Sequence, residues 1–241
     1  MADAGTAILG KIGIEVYKAV GPKSFVWAKS KLFGRTFLFV GPGQSGKSSL
    51  LTFIRTGTYA NPALSARRTL KQKSSSPLQF KTPNEQIRID VRTIVDTRGQ
   101  DSAEKHAQLV QAYRPHALCI LVGASSPWGA PTGDVDNSDF HDVWLRDFMK
   151  TLETLRSSGR DFTRRLQSVC LFVNKVDAVS AEVAKERVVA ARTLFGQLAV
   201  GRLEHLGAIA NVLPLSLVDT FENGMLPIKA VAAIFDPFVR A

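Results

Sequence analysis

The chain has 241 residues, enough for one substantial core and a small appendage. Its apolar fraction of 45% is that of an ordinary globular domain, and no apolar run is long enough to cross a bilayer. Lysine and arginine number 31 against 21 acidic residues, a formal charge of +10 that favours acidic partners or anionic lipid without dictating a fold. No basic segment interleaved with aromatics marks an RNA-binding module, so nucleic acid is not an expected partner. Cys119 and Cys170 lie in strongly apolar runs and read as buried core thiols, which fits a reducing cytoplasm. His106, His116, His141 and His205 are scattered and outline no metal cluster. The amino terminus lacks a secretory apolar core, and Ala2 stands where myristoylation needs glycine, so a cytoplasmic protein is expected.

Residues 1–34 form a basic leader. Leu9, Ile12, Val16 and Val20 recur at helical spacing, with Lys11, Glu15 and Lys18 elsewhere on the wheel, and Gly21-Pro22 ends the segment. A second piece sets Phe25, Val26, Trp27, Leu32 and Phe33 among Lys23, Lys29 and Lys31. Two readings stand: a helix packed on the following domain, or an amphipathic helix for peripheral contact with a membrane or a partner. From Arg35 to the end, apolar runs alternate with amphipathic ones. The runs are 36–40, 78–81, 87–95, 117–122, 168–173 and 210–215. Helical patterns cover 47–56, 101–112, 138–158, 181–199 and 225–235. This alternation predicts an α/β fold, a doubly wound and mostly parallel six-stranded sheet with helices on both faces. Lys81-Thr-Pro-Asn-Glu-Gln86 reads as a hairpin turn that places one antiparallel strand at the sheet edge. The stretch 124–139, rich in Gly, Pro, Ser and Asp, reads as an inserted loop, either partner-binding or decorative.

Three short segments carry chemistry. In Val40-Gly41-Pro42-Gly43-Gln44-Ser45-Gly46-Lys47-Ser48-Ser49, the spacing from Gly41 to Gly46-Lys47-Ser48 is the full phosphate-binding loop pattern, between an apolar strand and a helix. Gly43 and Gly46 let the backbone curl around an anion, and the helix behind them points its partially positive end at it. Lys47 reaches β- and γ-phosphates, and the Ser48 hydroxyl suits Mg²⁺. Asp96-Thr97-Arg98-Gly99-Gln100 follows the apolar run 87–95. A carboxylate there suits a magnesium site, Gly99 brings an amide to a γ-phosphate, and the Gln100 side chain can orient an attacking water. Asn174-Lys175-Val176-Asp177 ends the run 168–173. The Asp177 carboxylate can accept the two N–H groups of a guanine edge, which adenine lacks. Asn174 would tie this segment to the phosphate loop, and the Lys175 stem would lie along the base. Ser216, before Leu217, ends the last strand, where a backbone N–H could reach the guanine O6 or where it is an ordinary strand-end serine.

In this order the three motifs resemble the Ras/Arf-like branch of the P-loop (TRAFAC) GTPases. Gly-Pro-Gly-Gln-Ser-Gly-Lys-Ser is especially similar to the gliding-protein (MglA-like) small GTPases of prokaryotes. The resemblance covers residues 35–240 and is specific at the motifs, loose between them. It implies GTP/GDP binding with Mg²⁺, slow hydrolysis to GDP, and a switch read by regulatory and effector proteins through the switch loops. It carries phosphate and nucleotide contacts onto Gly41, Gly43, Gln44, Ser45, Gly46, Lys47, Ser48 and Ser49, and catalysis onto Lys47, Gly99 and Gln100. Base selection falls on Asn174, Lys175 and Asp177, with Ser216 and Leu217 closing the pocket, and the metal on Ser48, Asp96 and a switch threonine. The threonine is not obvious: Thr69 is the choice, with Ser74 to Ser76 and Thr58 competing. Arg67, Arg68 or Arg98 could supply an arginine finger. The alternative function is a nucleotide-gated scaffold with negligible hydrolysis. An ATP-hydrolysing protein is opposed by Asn174 and Asp177.

Overall fold

Five residues of nearly pure hydrocarbon, Thr36–Val40, form strand β1 at the centre of the molecule, with Leu38 and Val40 fully buried. The computed structural model describes residues 35–56, 58–59, 73–75, 78–81, 86–89, 93–97, 101–124, 137–158, 165–196, 209–218 and 221–240. The leader, Thr69, Arg67, Arg68, Arg98, Gly99, Gln100 and residues 125–136 lie outside them. In chain order follow α1 (Lys47–Thr56), β2 (Lys73–Ser75), β3 (Leu78–Lys81), β4 (Gln86–Ile89), β5 (Thr93–Asp96), α2 (Ala103–Tyr113), β6 (Ala117–Gly123) and α3 (Asn137–Ser157). Then come β7 (Ser168–Asn174), α4 (Ala181–Phe195), β8 (Ile209–Leu215) and α5 (Met225–Arg240).

The fold is α/β with a parallel sheet. Its strands lie in the order β2-β5-β1-β6-β7-β8, and β1, β6, β7 and β8 run parallel in register. Successive strand residues point to opposite faces. Phe37, Phe39, Cys119, Leu121, Cys170 and Phe172 therefore meet α1 and α5 on one side. Leu38, Val40, Leu118, Ile120, Leu171 and Val173 meet α2, α3 and α4 on the other. A strand covered on both faces needs no polar residue, which is why β6 and β7 read as continuous apolar runs. Pro214 is accepted in β8 because β8 is the last strand in the order.

The hairpin expected at 81–86 forms, with Leu78 opposite Ile89 and Lys81 opposite Gln86. It does not, however, put its strand on the edge of the main sheet. β3 and β4 make a separate two-stranded ladder, while Lys73–Ser75 takes the antiparallel place beside β5. The apolar run 87–95 accordingly divides between β4 and β5. Two residues separate Ser75 from Leu78, but four separate Ile89 from Ile94, so the two ladders differ in register by two residues.

Two side chains fasten the architecture from within. At the amino edge of the sheet, His116 Nδ1 accepts from Thr36 N at 3.0 Å, and His116 N donates to Thr36 O at 2.9 Å. The His116 carbonyl also accepts from Gln167 N at 2.8 Å and Ser168 N at 3.2 Å. One residue thus sets the starts of β1, β6 and β7. Burial first, then the charges of Arg35 and Arg165, lower the His116 pKa to about 4. On the α5 face, Cys170 Sγ donates to Ala233 O at 3.6 Å. That carbonyl stands four residues before Pro237, which has no N–H to give it. The thiol replaces the missing helical bond. Burial pushes the Cys170 pKa up to about 12 and raises that of its strand neighbour Cys119, so both are free, buried thiols.

Two outcomes follow. Cys170→Ala should cost about 1–2 kcal/mol in urea unfolding, and less in a Pro237→Ala background, where residue 237 donates for itself. Additive costs across that double-mutant cycle would contradict the thiol bond. His116 is neutral in the fold and has the lower pKa there. Its contribution is therefore complete above about pH 6.5 and declines as pH falls toward 4. With its partial exposure the loss should reach about 1–2 kcal/mol, and His116→Asn, which keeps an acceptor at the Nδ1 position, should flatten the slope between pH 7.5 and 5.

Candidate functional site

The strand order reverses at β1: the chain first adds β5 on one side, then β6, β7 and β8 on the other. Loops leaving the carboxyl ends of strands on the two sides of such a point diverge and leave a crevice. Six of the eight buried polar or charged side chains among the described residues lie at this edge: Ser45, Lys47, Thr97, His141, Asn174 and Ser216. Buried polar groups are costly unless paired, so their concentration here marks the place where the fold gives up hydrophobic burial for something else.

The loop from Gly41 to Gly46 turns tightly, with Ser45 N donating to Pro42 O at 3.4 Å. An added Cβ at Gly41 would run into the Leu121 carbonyl, and one at Gly46 into the Asn174 side-chain nitrogen. The positive φ angles fall at Gly41 (150°), Gln44 (62°) and Gly46 (95°), so the first left-handed turn is made by Gln44 and not by Gly43. Within α1, Leu50 N bonds back to Gly46 O at 2.9 Å. The amides ahead of it have no carbonyl inside the helix to bond, and no acidic residue sits in the first turn. Such a helix end carries a partial positive charge. Lys47 is only 5% exposed, and its Nζ donates to Gly41 O at 2.7 Å, Pro42 O at 2.8 Å and Ser45 Oγ at 3.3 Å. The ammonium is folded onto the loop it starts from. Ser48 is exposed and Ser49 half-exposed.

The second motif meets this loop directly. Asn174 Nδ2 donates to Ser45 O at 2.9 Å across 129 residues of chain. Asn174 is 3% exposed, and its Oδ1 is buried with no hydrogen-bond partner among the described residues. Lys175 adopts a left-handed conformation (φ 64°), which turns the chain sharply into the short helix Val176–Ala178. Burial lowers the Lys175 pKa, and the nearby Asp177 charge opposes that shift. Asp177 itself is exposed. Ser216 is fully buried and accepts from Val218 N at 3.3 Å, while Leu217 lies beside the space an added Gly46 Cβ would enter.

The structure therefore brings Gly41 to Ser49, Asn174, Ser216 and Leu217 together, with Lys175 and Asp177 on the adjoining turn. Asp96 closes β5 in register with Phe39 of β1, beside the loop's first residues. Thr69, Gly99 and Gln100 lie outside the described residues. Among the described residues no three His, Cys, Asp or Glu side chains gather to hold a metal.

Two residues at the site gave no sequence signal. Thr97 is fully buried, and its Oγ1 and N both donate to Phe39 O, at 2.9 and 3.4 Å, pinning the end of β5 to β1. His141 Nδ1 accepts from Gly123 N at 2.7 Å, at the end of β6. Both bonds join segments remote in sequence, and neither residue type is distinctive by itself.

Gly46→Ala should be among the most damaging single changes at this edge, because the new methyl meets Asn174 and strains a positive φ as well. A loss of about 2–4 kcal/mol in unfolding is expected, partly relieved in the double variant with Asn174→Ala. Full additivity in thermal unfolding would contradict the contact. No protein-family model matches this sequence, and no curated protein matches it.

Proposed function

We propose that the chain binds a guanine nucleotide with Mg²⁺ at the carboxyl edge of its sheet and hydrolyses GTP to GDP and phosphate, acting as a nucleotide-dependent switch of the Ras/Arf-like P-loop GTPase kind. The observation that carries this reading is the Asn174–Ser45 bond. It joins a phosphate-loop pattern to a guanine-selecting pattern and so brings both within reach of one ligand.

On this reading the triphosphate enters the turn at Gly41–Gly46 and takes over the hydrogen bonds that the Lys47 ammonium makes to loop carbonyls. The ammonium then sits against β- and γ-oxygens with most of its hydration already removed, so its field acts at low dielectric. The amides at the head of α1 add a second fixed positive end. Ser48 and Asp96, with Thr69 as the switch threonine, would hold Mg²⁺, which supplies charge neutralisation on the phosphates. Gln100 orients the attacking water and Gly99 offers its amide to the γ-phosphate. The Asp177 carboxylate accepts from the guanine N1 and N2 groups, and Ser216 and Leu217 close the pocket beside Gly46. The expected fold is the P-loop GTPase fold, six strands with one antiparallel edge strand, and the placement of β2 beside β5 is in keeping with it. Regulatory and effector proteins would read the switch segments. The leader would pack on the domain or make peripheral contact with a membrane or partner, and none of the described helices is long and apolar enough to cross a membrane.

Magnesium-dependent uptake of labelled GTP by the purified full chain, with ATP at least about a hundredfold weaker, is the expected result. Asp177→Asn should shift preference toward xanthosine triphosphate, because an amide presents the donor that the xanthine C2 carbonyl needs. Lys47→Ala should abolish binding. Multiple-turnover phosphate release then separates a hydrolase from a nucleotide-gated scaffold. Folded protein that takes up no GTP, or for which Asp177→Asn changes nothing, would end the proposal.

A further inference from the structure

His141 belongs to none of the three motifs, yet it is placed to govern the most constrained contact of the site. It lies in the second turn of α3, is 4% exposed, and accepts from Gly123 N at 2.7 Å through Nδ1. Gly123 is the last residue of β6 and the register partner of Asn174, the last residue of β7. The next amide, Ala124 N, donates to Asn174 O at 2.7 Å. Asn174 in turn donates to Ser45 O in the loop. The imidazole, the end of β6, the end of β7 and the phosphate-type loop are thus joined in series by three hydrogen-bonded links. The first link also closes an excursion of 18 residues at its root, where the chain leaves β6 and returns as α3.

The link requires a neutral ring with its proton on Nε2, since a protonated Nδ1 cannot accept. The surroundings favour that state. Burial, then the positive charges of Lys175 and Lys47, lower the His141 pKa to about 4. The two cations are those of the two motifs that the chain of bonds connects. A proton on His141 would remove the Gly123 acceptor and set a third positive charge beside both lysines.

We infer that His141 is a positioning residue of the nucleotide site: as a neutral acceptor it holds the end of β6, and through Ala124 and Gly123 keeps Asn174 on the loop. The inference rests on the nucleotide reading for its affinity readout, but the bond can be tested without any nucleotide.

The test uses two neutral carboxamides in the full-length protein. In His141→Asn the amide oxygen falls near the position of Nδ1 and can accept from Gly123. In His141→Gln it falls near Nε2 and cannot, although glutamine matches the imidazole better in size. GTP affinity should stay within about threefold of wild type for Asn and fall by roughly tenfold or more for Gln. A side chain that merely fills space would give the reverse order, and either the reverse order or equal affinities overturn the inference. The second measurement uses wild-type, nucleotide-free protein. The ¹⁵N resonance of His141 Nδ1 at neutral pH should be that of an unprotonated ring nitrogen, and the Asn174 side-chain amide should exchange slowly with solvent. A protonated Nδ1, or fast exchange, overturns the inference even if neither variant folds. If wild-type protein binds no GTP but shows both signatures, the nucleotide reading fails and the positioning of Asn174 by His141 stands.

Discussion

The site depends on a place where a side chain is missing. Gly46 has no Cβ, and the Asn174 amide occupies the space a Cβ would take. Only in that arrangement does Asn174 Nδ2 reach Ser45 O, and only then do the segments after β1 and β7 form one surface. The glycine is also in a left-handed conformation that other residues adopt at a cost, so steric room and backbone angle select the same residue. β6 lies between β1 and β7 in the sheet, so the contact must reach around it. That explains why the end of β6 is tied down so thoroughly, by the Ala124 amide on Asn174 and by the His141 imidazole on Gly123.

The two edges of the sheet divide the work. At the amino edge, His116 sets the starts of three strands with four hydrogen bonds, so it organises structure alone. At the carboxyl edge, the buried polar groups include the hydrogen-bonded Lys47 ammonium and the Asn174 amide oxygen, which has no partner among the described residues. Between them the layers are almost entirely hydrocarbon, packed on both faces of the sheet. A rigid middle lets the carboxyl edge carry strained angles and poorly paired polar atoms without loss of the fold.

The central strands were legible because parallel strands covered on both faces are mostly apolar, and the runs 36–40, 117–122 and 168–173 are. The tight turn from β1 into α1 was legible because closely spaced glycines stand between an apolar run and a helical pattern. Other features could not be read, for physical reasons. The run 87–95 keeps one alternation, Ile87, Ile89 and Val91 against Arg88, Asp90 and Arg92, across the gap between β4 and β5, so its pattern could not divide it. Gly43 reads as a turn residue in the sequence, but the positive φ angles fall at Gly41, Gln44 and Gly46. Thr97 and His141 matter through bonds to Phe39 and Gly123, and a hydroxyl or imidazole in sequence does not announce a distant carbonyl or amide. The helix after Ser180 was expected to reach 199, and α4 is described only to Phe195.

The bond between the Cys170 thiol and the Ala233 carbonyl has a consequence for assembly. An isolated α5 would have to leave that carbonyl to water, because Pro237 offers it nothing. The last turns of this helix are therefore not an autonomous unit. Their backbone is completed by a sulfur on strand β7, made earlier in synthesis, so the docked sheet acts as a template on which the carboxyl-terminal helix finishes winding.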